Sequence, residues 1–113
     1  MNIKLEVSKP EPIEINGEIY PVYKNALEVM KILEKIKTAE TPNYTDLANH
    51  IISYIDLILG NGAFIKISGG QSVSYYDLGV WFNVICQTII QSETEKAGKL
   101  KEAAAKIINA KYE

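Results

Sequence analysis

Arginine is absent from the 113 residues: all twelve basic side chains are lysine, set against fourteen acidic ones for a formal charge of -2. Arginine supplies the bidentate fork for phosphate and guanine, and nucleic-acid-binding domains usually carry a basic excess. This composition therefore points away from nucleic acid as a partner. Cysteine and histidine occur once each, at Cys86 and His50, which excludes an intramolecular disulfide and a Cys/His metal site. Aspartate occurs only three times and the glutamates are scattered, so no dense acidic face of a nucleic-acid mimic is present. Long apolar runs are missing too. Nothing approaches the roughly 18 residues of a membrane span, and Met1 to Val7 lacks the apolar core of a signal peptide. The expectation is a cytosolic protein with no membrane partner.

What is present is the balance of one globular domain, with 47% hydrophobic and 23% charged residues. The pattern divides it into a β-hairpin region over 1–24 and a helical region over 25–113. Ile3, Leu5 and Val7 alternate with Lys4 and Glu6 in the period of a half-buried strand. Pro10 and Pro12 then interrupt it, each lacking an amide donor. Ile13-Glu14-Ile15 and Glu18-Ile19-Tyr20 flank Asn16-Gly17, the pair best suited to the positive φ angles of a type I′ turn, and Pro21 brings the second strand to an unpaired edge.

From Asn25 the period becomes helical. Asn25 stands three residues before Glu28 as in a capping box, and Ala26, Val29, Met30, Leu33 and Ile36 form the expected stripe of a first helix. Thr41-Pro42 or Thr45 opens a second, with Tyr44, Leu47, Ala48, Ile51, Ile55, Ile58 and Leu59 at helical spacing until Gly60-Asn61-Gly62. Residues 63–67 are too few for periodicity to separate strand from helix. Ser74 to Asp77 caps a third helix that is apolar almost all round, from Leu78 to Ile90, and must be covered on several sides by the other helices or by a partner. A last helical segment, Ser92 to Glu113, carries Ala97, Leu100, Ala104, Ile107 and Ile108 on a thin stripe, with Gly98 marking a kink or a break. The fold class is α+β: an N-terminal antiparallel hairpin or three-stranded sheet followed by a bundle of three to four helices.

Catalytic chemistry finds no footing. His50 has only Asp46 one turn away, Cys86 sits in the most apolar helix, Gly60-Asn61-Gly62 lacks the dinucleotide fingerprint, and Gly69-Gly70-Gln71 reads as a loop rather than an anion cradle. No catalytic, cofactor or metal site can be assembled, so no enzyme and no cofactor are expected. The tyrosines lack a basic groove for base stacking and read as core-edge or interface residues.

The run Ile13-Glu14-Ile15-Asn16-Gly17-Glu18-Ile19-Tyr20, followed by Asn25-Ala26-Leu27-Glu28 opening a helix that reaches Leu33-Glu34, resembles the tail assembly chaperones of long-tailed, siphovirus-type bacteriophages. Those proteins have an I-N-G-x-x-Y hairpin leading into an A-L-x-x-L-E type helix; the layout match spans roughly residues 13–110, and the helix end at Leu59-Gly60 and the helix start at Asp77-Leu78 also fit. The N-terminal strand and the Gly69-Gly70 loop depart from it. The resemblance implies a non-enzymatic chaperone that coats the tape-measure protein and recruits tail-tube subunits in the host bacterial cytoplasm. It also implies, in many relatives, a longer frameshifted product. A long helical partner needs repeated apolar grooves, so self-association into an open spiral is expected. The candidate interface residues are Tyr20, Val22, Tyr23, Leu100, Ile107 and Ile108. The rival readings are a small phage or prophage inhibitor of a host defence or transcription enzyme, and a DNA-binding regulator, which the missing arginine disfavours.

Overall fold

Positive φ at both Asn16 (53°) and Gly17 (82°) closes a two-residue turn between β1 (Ile13–Ile15) and β2 (Glu18–Tyr20). This is the type I′ geometry the Asn-Gly pair was expected to take, and its twist matches that of the strands it joins. The turn sets the register: Ile13 opposite Tyr20, Glu14 opposite Ile19, Ile15 opposite Glu18. Ile13, Ile15 and Tyr20 consequently face the helices, while Glu14 and Ile19 face out. The computed structural model of the chain describes residues 1–40 and 43–112, and among these the hairpin is followed by four helices. The α+β class is as the sequence implied.

Helix α1 (Ala26–Thr38) starts on a reciprocal cap. The Glu28 amide donates to Asn25 Oδ1 at 2.9 Å, and the Asn25 amide donates to Glu28 Oε1 at 3.3 Å. A third bond comes from far away in sequence: the Ala26 amide donates to the Glu93 carboxylate at 3.0 Å, tying the positive end of α1 to a later helix. The buried face is Ala26, Val29 and Ile32, with Leu33 and Ile36 on its flank. Met30, expected on the stripe, is 45% exposed. It lies about 100° round the helix from Val29, so a face centred on Val29 and Ile32 leaves it in solvent.

Helix α2 (Tyr44–Leu59) is capped by Asn43, whose Oδ1 accepts from the Thr45 amide at 2.8 Å. Thr45 is thus the second helical residue rather than the cap, and Thr41-Pro42 lies outside the described residues. Ile51, Ile55, Ile58 and Leu59 form its buried face; Tyr44, expected with them, is exposed. The chain leaving the hairpin is fastened here, the Tyr23 amide donating to the Ile58 carbonyl at 2.8 Å. Residues 63–68 form a short helix, α3 (Ala63–Ser68). Its N-cap residue Gly62 has no side chain to offer, and the Asp56 carboxylate of α2 accepts instead from the Phe64 amide in the first turn at 2.9 Å. No local reading of five residues could see a cap supplied from eight residues back.

The two helices expected either side of Gly98 are one, α4 (Tyr75–Tyr112), of 38 residues. One glycine costs about 1 kcal/mol, too little to break a ladder whose other residues are strong helix formers. Leu78, Phe82, Ile85, Cys86 and Ile89 are buried at the centre of the core, as expected for this segment. The other helices do not cover all of α4: Val80 and Val84 are 42% and 57% exposed, which leaves a partner as the expected cover on that side. The third strand is also missing. Residues 1–12 form no strand, and Ile3, Leu5 and Val7 are exposed. Pro10 and Pro12 remove ladder donors, and Glu11 pairs instead with Lys96 of α4 at 3.0 Å.

Candidate functional site

The residues with chemical potential are dispersed. Among the described residues no group of three His, Cys, Asp or Glu side chains could hold a metal ion, and none of the buried side chains there is polar or charged. His50 and Asp46 both lie on the exposed side of α2. The amides of Gly69, Gly70 and Gln71 are already spent: they donate to the carbonyls of Lys66, Ile65 and Ser68 at 3.3, 3.1 and 3.2 Å. Positive φ at Gly69 and Gly70 makes this a helix C-cap for α3, with nothing left over for an anion.

Cys86 is fully buried, and burial pushes its thiol from 9.0 up to about 12. A thiol kept neutral is a packing group, since the thiolate is the nucleophile. At pH 8 the native protein should react with an aromatic disulfide reagent at least about 100-fold more slowly than the urea-unfolded chain, read as absorbance against time. Stability should be insensitive to this group below pH 9 and fall as the pH rises from 9 towards 12, because the unfolded chain releases the proton first. Native-rate labelling equal to the unfolded rate would contradict the burial.

What the surface does offer is apolar relief. Beside β1 lies a groove of about 240 Å³ lined by Ile15, Asn16, Ile67, Trp81, Val84 and Ile85. At the foot of the hairpin, Lys9, Pro10, Pro12, Pro21, Val22 and Tyr23 line a second, of about 440 Å³. A third and larger one, about 530 Å³, runs between α2 and the start of α4, with Ala48, Ile52, Phe64, Val73 and Leu78 on its walls. Tyr44 and Tyr75 meet edge to face across its mouth, ring centres 5.2 Å apart. Among the described residues no helix is long and apolar enough to cross a membrane. No family model, curated protein or solved structure matches the chain.

The interface candidates from the sequence separate into three groups. Tyr20 and Val22 are buried in the core cluster together with residues of α1, α2 and α4. Burial, and then the Glu18 carboxylate accepting from its hydroxyl at 3.0 Å, raise the Tyr20 phenol above its ordinary value. Tyr23 is 61% exposed and available. The side chains of Leu100, Ile107 and Ile108 lie outside the described residues, on the helical backbone of α4. Sequence reasoning missed Tyr44, Val80 and Val84 as surface groups. The signal was there in α4, whose apolar positions exceed what one buried face can hold. For Tyr44 there was none, because helical spacing alone assigned it to the core.

Proposed function

We propose that this chain is a non-enzymatic tail assembly chaperone of a long-tailed phage or prophage, which binds the tape-measure protein and recruits tail-tube subunits. The observation that carries the reading is the unit formed by Ile13-Glu14-Ile15-Asn16-Gly17-Glu18-Ile19-Tyr20 and the capped Asn25-Ala26-Leu27-Glu28 helix start, which is the part that resembles the family, standing at the head of a helical body. The groove between α2 and α4 suits the partner this role requires. A long amphipathic helix lays its apolar face into such a groove, and aromatic rims with one wet end supply the anchors. Tyr44, 72% exposed, and Tyr76, 77% exposed, stand at that end of the molecule.

The test is co-expression with the tape-measure protein encoded beside this gene, followed by co-purification. The wild-type chain should keep the tape-measure protein soluble and bound. Tyr44→Ala should weaken binding about tenfold at an unchanged unfolding midpoint, since the side chain is exposed. An isolated gene with no tape-measure neighbour, or no binding to that neighbour, would overturn the reading and favour an inhibitor of a host enzyme.

A further inference from the structure

Ile3, Leu5 and Val7 carry the alternation of a half-buried strand, yet none is covered: Leu5 is 90% and Val7 95% exposed. The sheet they were expected to join is left with two strands of three residues each, a size that is marginal by itself in water. Its β1 edge is open. With a two-residue turn the flanking pair Ile15/Glu18 is the hydrogen-bonded one, and ladder alternation then turns the Glu14 N–H and C=O outward to that edge. The groove of Ile15, Ile67, Trp81, Val84 and Ile85 opens on the same side, whereas β2 borders a different hollow with Leu59 and Lys66. An incomplete sheet edge and an uncovered apolar floor therefore lie next to each other.

We propose that residues Ile3–Val7 of one copy add to β1 of a second copy as a third, antiparallel strand. The charge pattern selects the register. Lys4 and Glu6 share the face opposite Ile3, Leu5 and Val7, with Lys4 Nζ 3.5 Å from Glu6 Oε1. Glu14 is on the outer face of β1. Pairing Lys4 with Glu14 sets opposite charges across the strands and uses the outward Glu14 N–H and C=O. In that register Ile3 meets Ile15 and Leu5 meets Ile13, which turns the apolar side of the arm onto the groove. A one-residue slip would put Ile3 and Leu5 in water and Lys4 over Trp81 and Val84.

In the structure the chain does not do this to itself, since Ile3, Leu5 and Val7 are uncovered and the sheet has two strands. The base of the arm is seated elsewhere: Ser8, Lys9 and Pro10 lie with Asn25, Leu27 and Glu93, and Glu11 is tied to Lys96. Along α4 that seat is about 15 Å from Val84, at 1.5 Å per residue. The Pro10 seat and the Glu11–Lys96 pair are the fixed points at the base of the arm. A second copy receives the arm with both intact. The pairing is independent of the tail-chaperone reading, because it is measured on this chain alone.

The decisive experiment mixes two full-length variants, Lys4→Cys and Glu14→Cys, under mild oxidation. Opposed hydrogen-bonded residues in an antiparallel pair stand about 5.5 Å apart at Cα, within disulfide range. Cys86 is buried and stays out of the reaction. The mixture should give a dimer-sized species on non-reducing gels, and neither variant alone should match its yield. In sedimentation equilibrium, Lys4→Glu should weaken self-association about tenfold and the Lys4→Glu/Glu14→Lys double variant should restore it; Leu5→Glu should weaken it about 100-fold. All three sites are exposed in the free chain, so folding is not at risk. A monomer at every concentration, or a Lys4→Cys/Glu14→Cys chain that closes only on itself, would overturn the proposal.

Discussion

Ile55→Ala is expected to lower the free energy of unfolding by about 4 kcal/mol, near the upper part of the range for aliphatic truncations in a packed core. Ile55 is fully buried on α2, a helix that packs against α1, α3 and α4, so the core around the lost methyl groups is built from several elements. Such a site collapses poorly, and the cavity adds to the lost transfer energy of roughly 1.5–3 kcal/mol. For a domain whose whole stability is about 5–15 kcal/mol, the thermal midpoint should drop by roughly 15 °C. Leu57→Ala, two residues away and 48% exposed, should cost under about 1 kcal/mol. Urea unfolding followed by circular dichroism measures both, and equal effects at the two positions would contradict the placement of the core.

Gly60→Ala should cost about 3 kcal/mol, an effect out of scale for one methyl group. Gly60 has φ 110° and ψ 156°, a region that essentially only glycine occupies. A Cβ there would also stand 3.2 Å from Cε2 of Tyr23. The two causes are separable. Tyr23 is anchored at its amide by the Ile58 carbonyl, but its ring is exposed, so Tyr23→Ala removes the steric partner and leaves the backbone strain. In a double-mutant cycle the Gly60→Ala cost should therefore shrink without vanishing when Tyr23 is alanine. Gly79→Ala supplies the contrast: it is helical, with nothing within 4 Å of a new Cβ, and should stabilise the protein by about 0.5–1 kcal/mol. A Gly60→Ala protein as stable as the wild type would contradict the cap geometry.

These two sites also show where sequence reading reaches. Ile55 was legible as core because four turns of helical spacing agree on it. Gly60 was legible as a helix end, but its contact with Tyr23 was not, since the residues are 37 positions apart and meet only when the hairpin docks on α2. The candidate surfaces follow the same division. Val22 was a candidate contact residue and Tyr20 either that or a core-edge residue, and packing put both inside. Tyr44 read as core, and the end of α2 left it at the rim of a groove.

By itself the sequence determined whatever depends on neighbours along the chain. Asn16-Gly17 dictated the turn and through it the strand register, and Asn25 with Glu28 dictated where α1 begins. The long apolar period dictated the buried face of α2 from Ile51 to Leu59, and composition excluded an intramolecular disulfide and a Cys/His metal site. Tertiary structure decided whatever needs a partner from elsewhere. Asp56 made a helix of residues 63–68, the uninterrupted ladder carried α4 through Gly98, and the choice of α1 face put Ile32 in and Met30 out. The N-terminal arm marks the boundary most clearly. Its alternation is written in the sequence, but a strand exists only when an edge bonds it, and residues 1–12 pair with none in the structure.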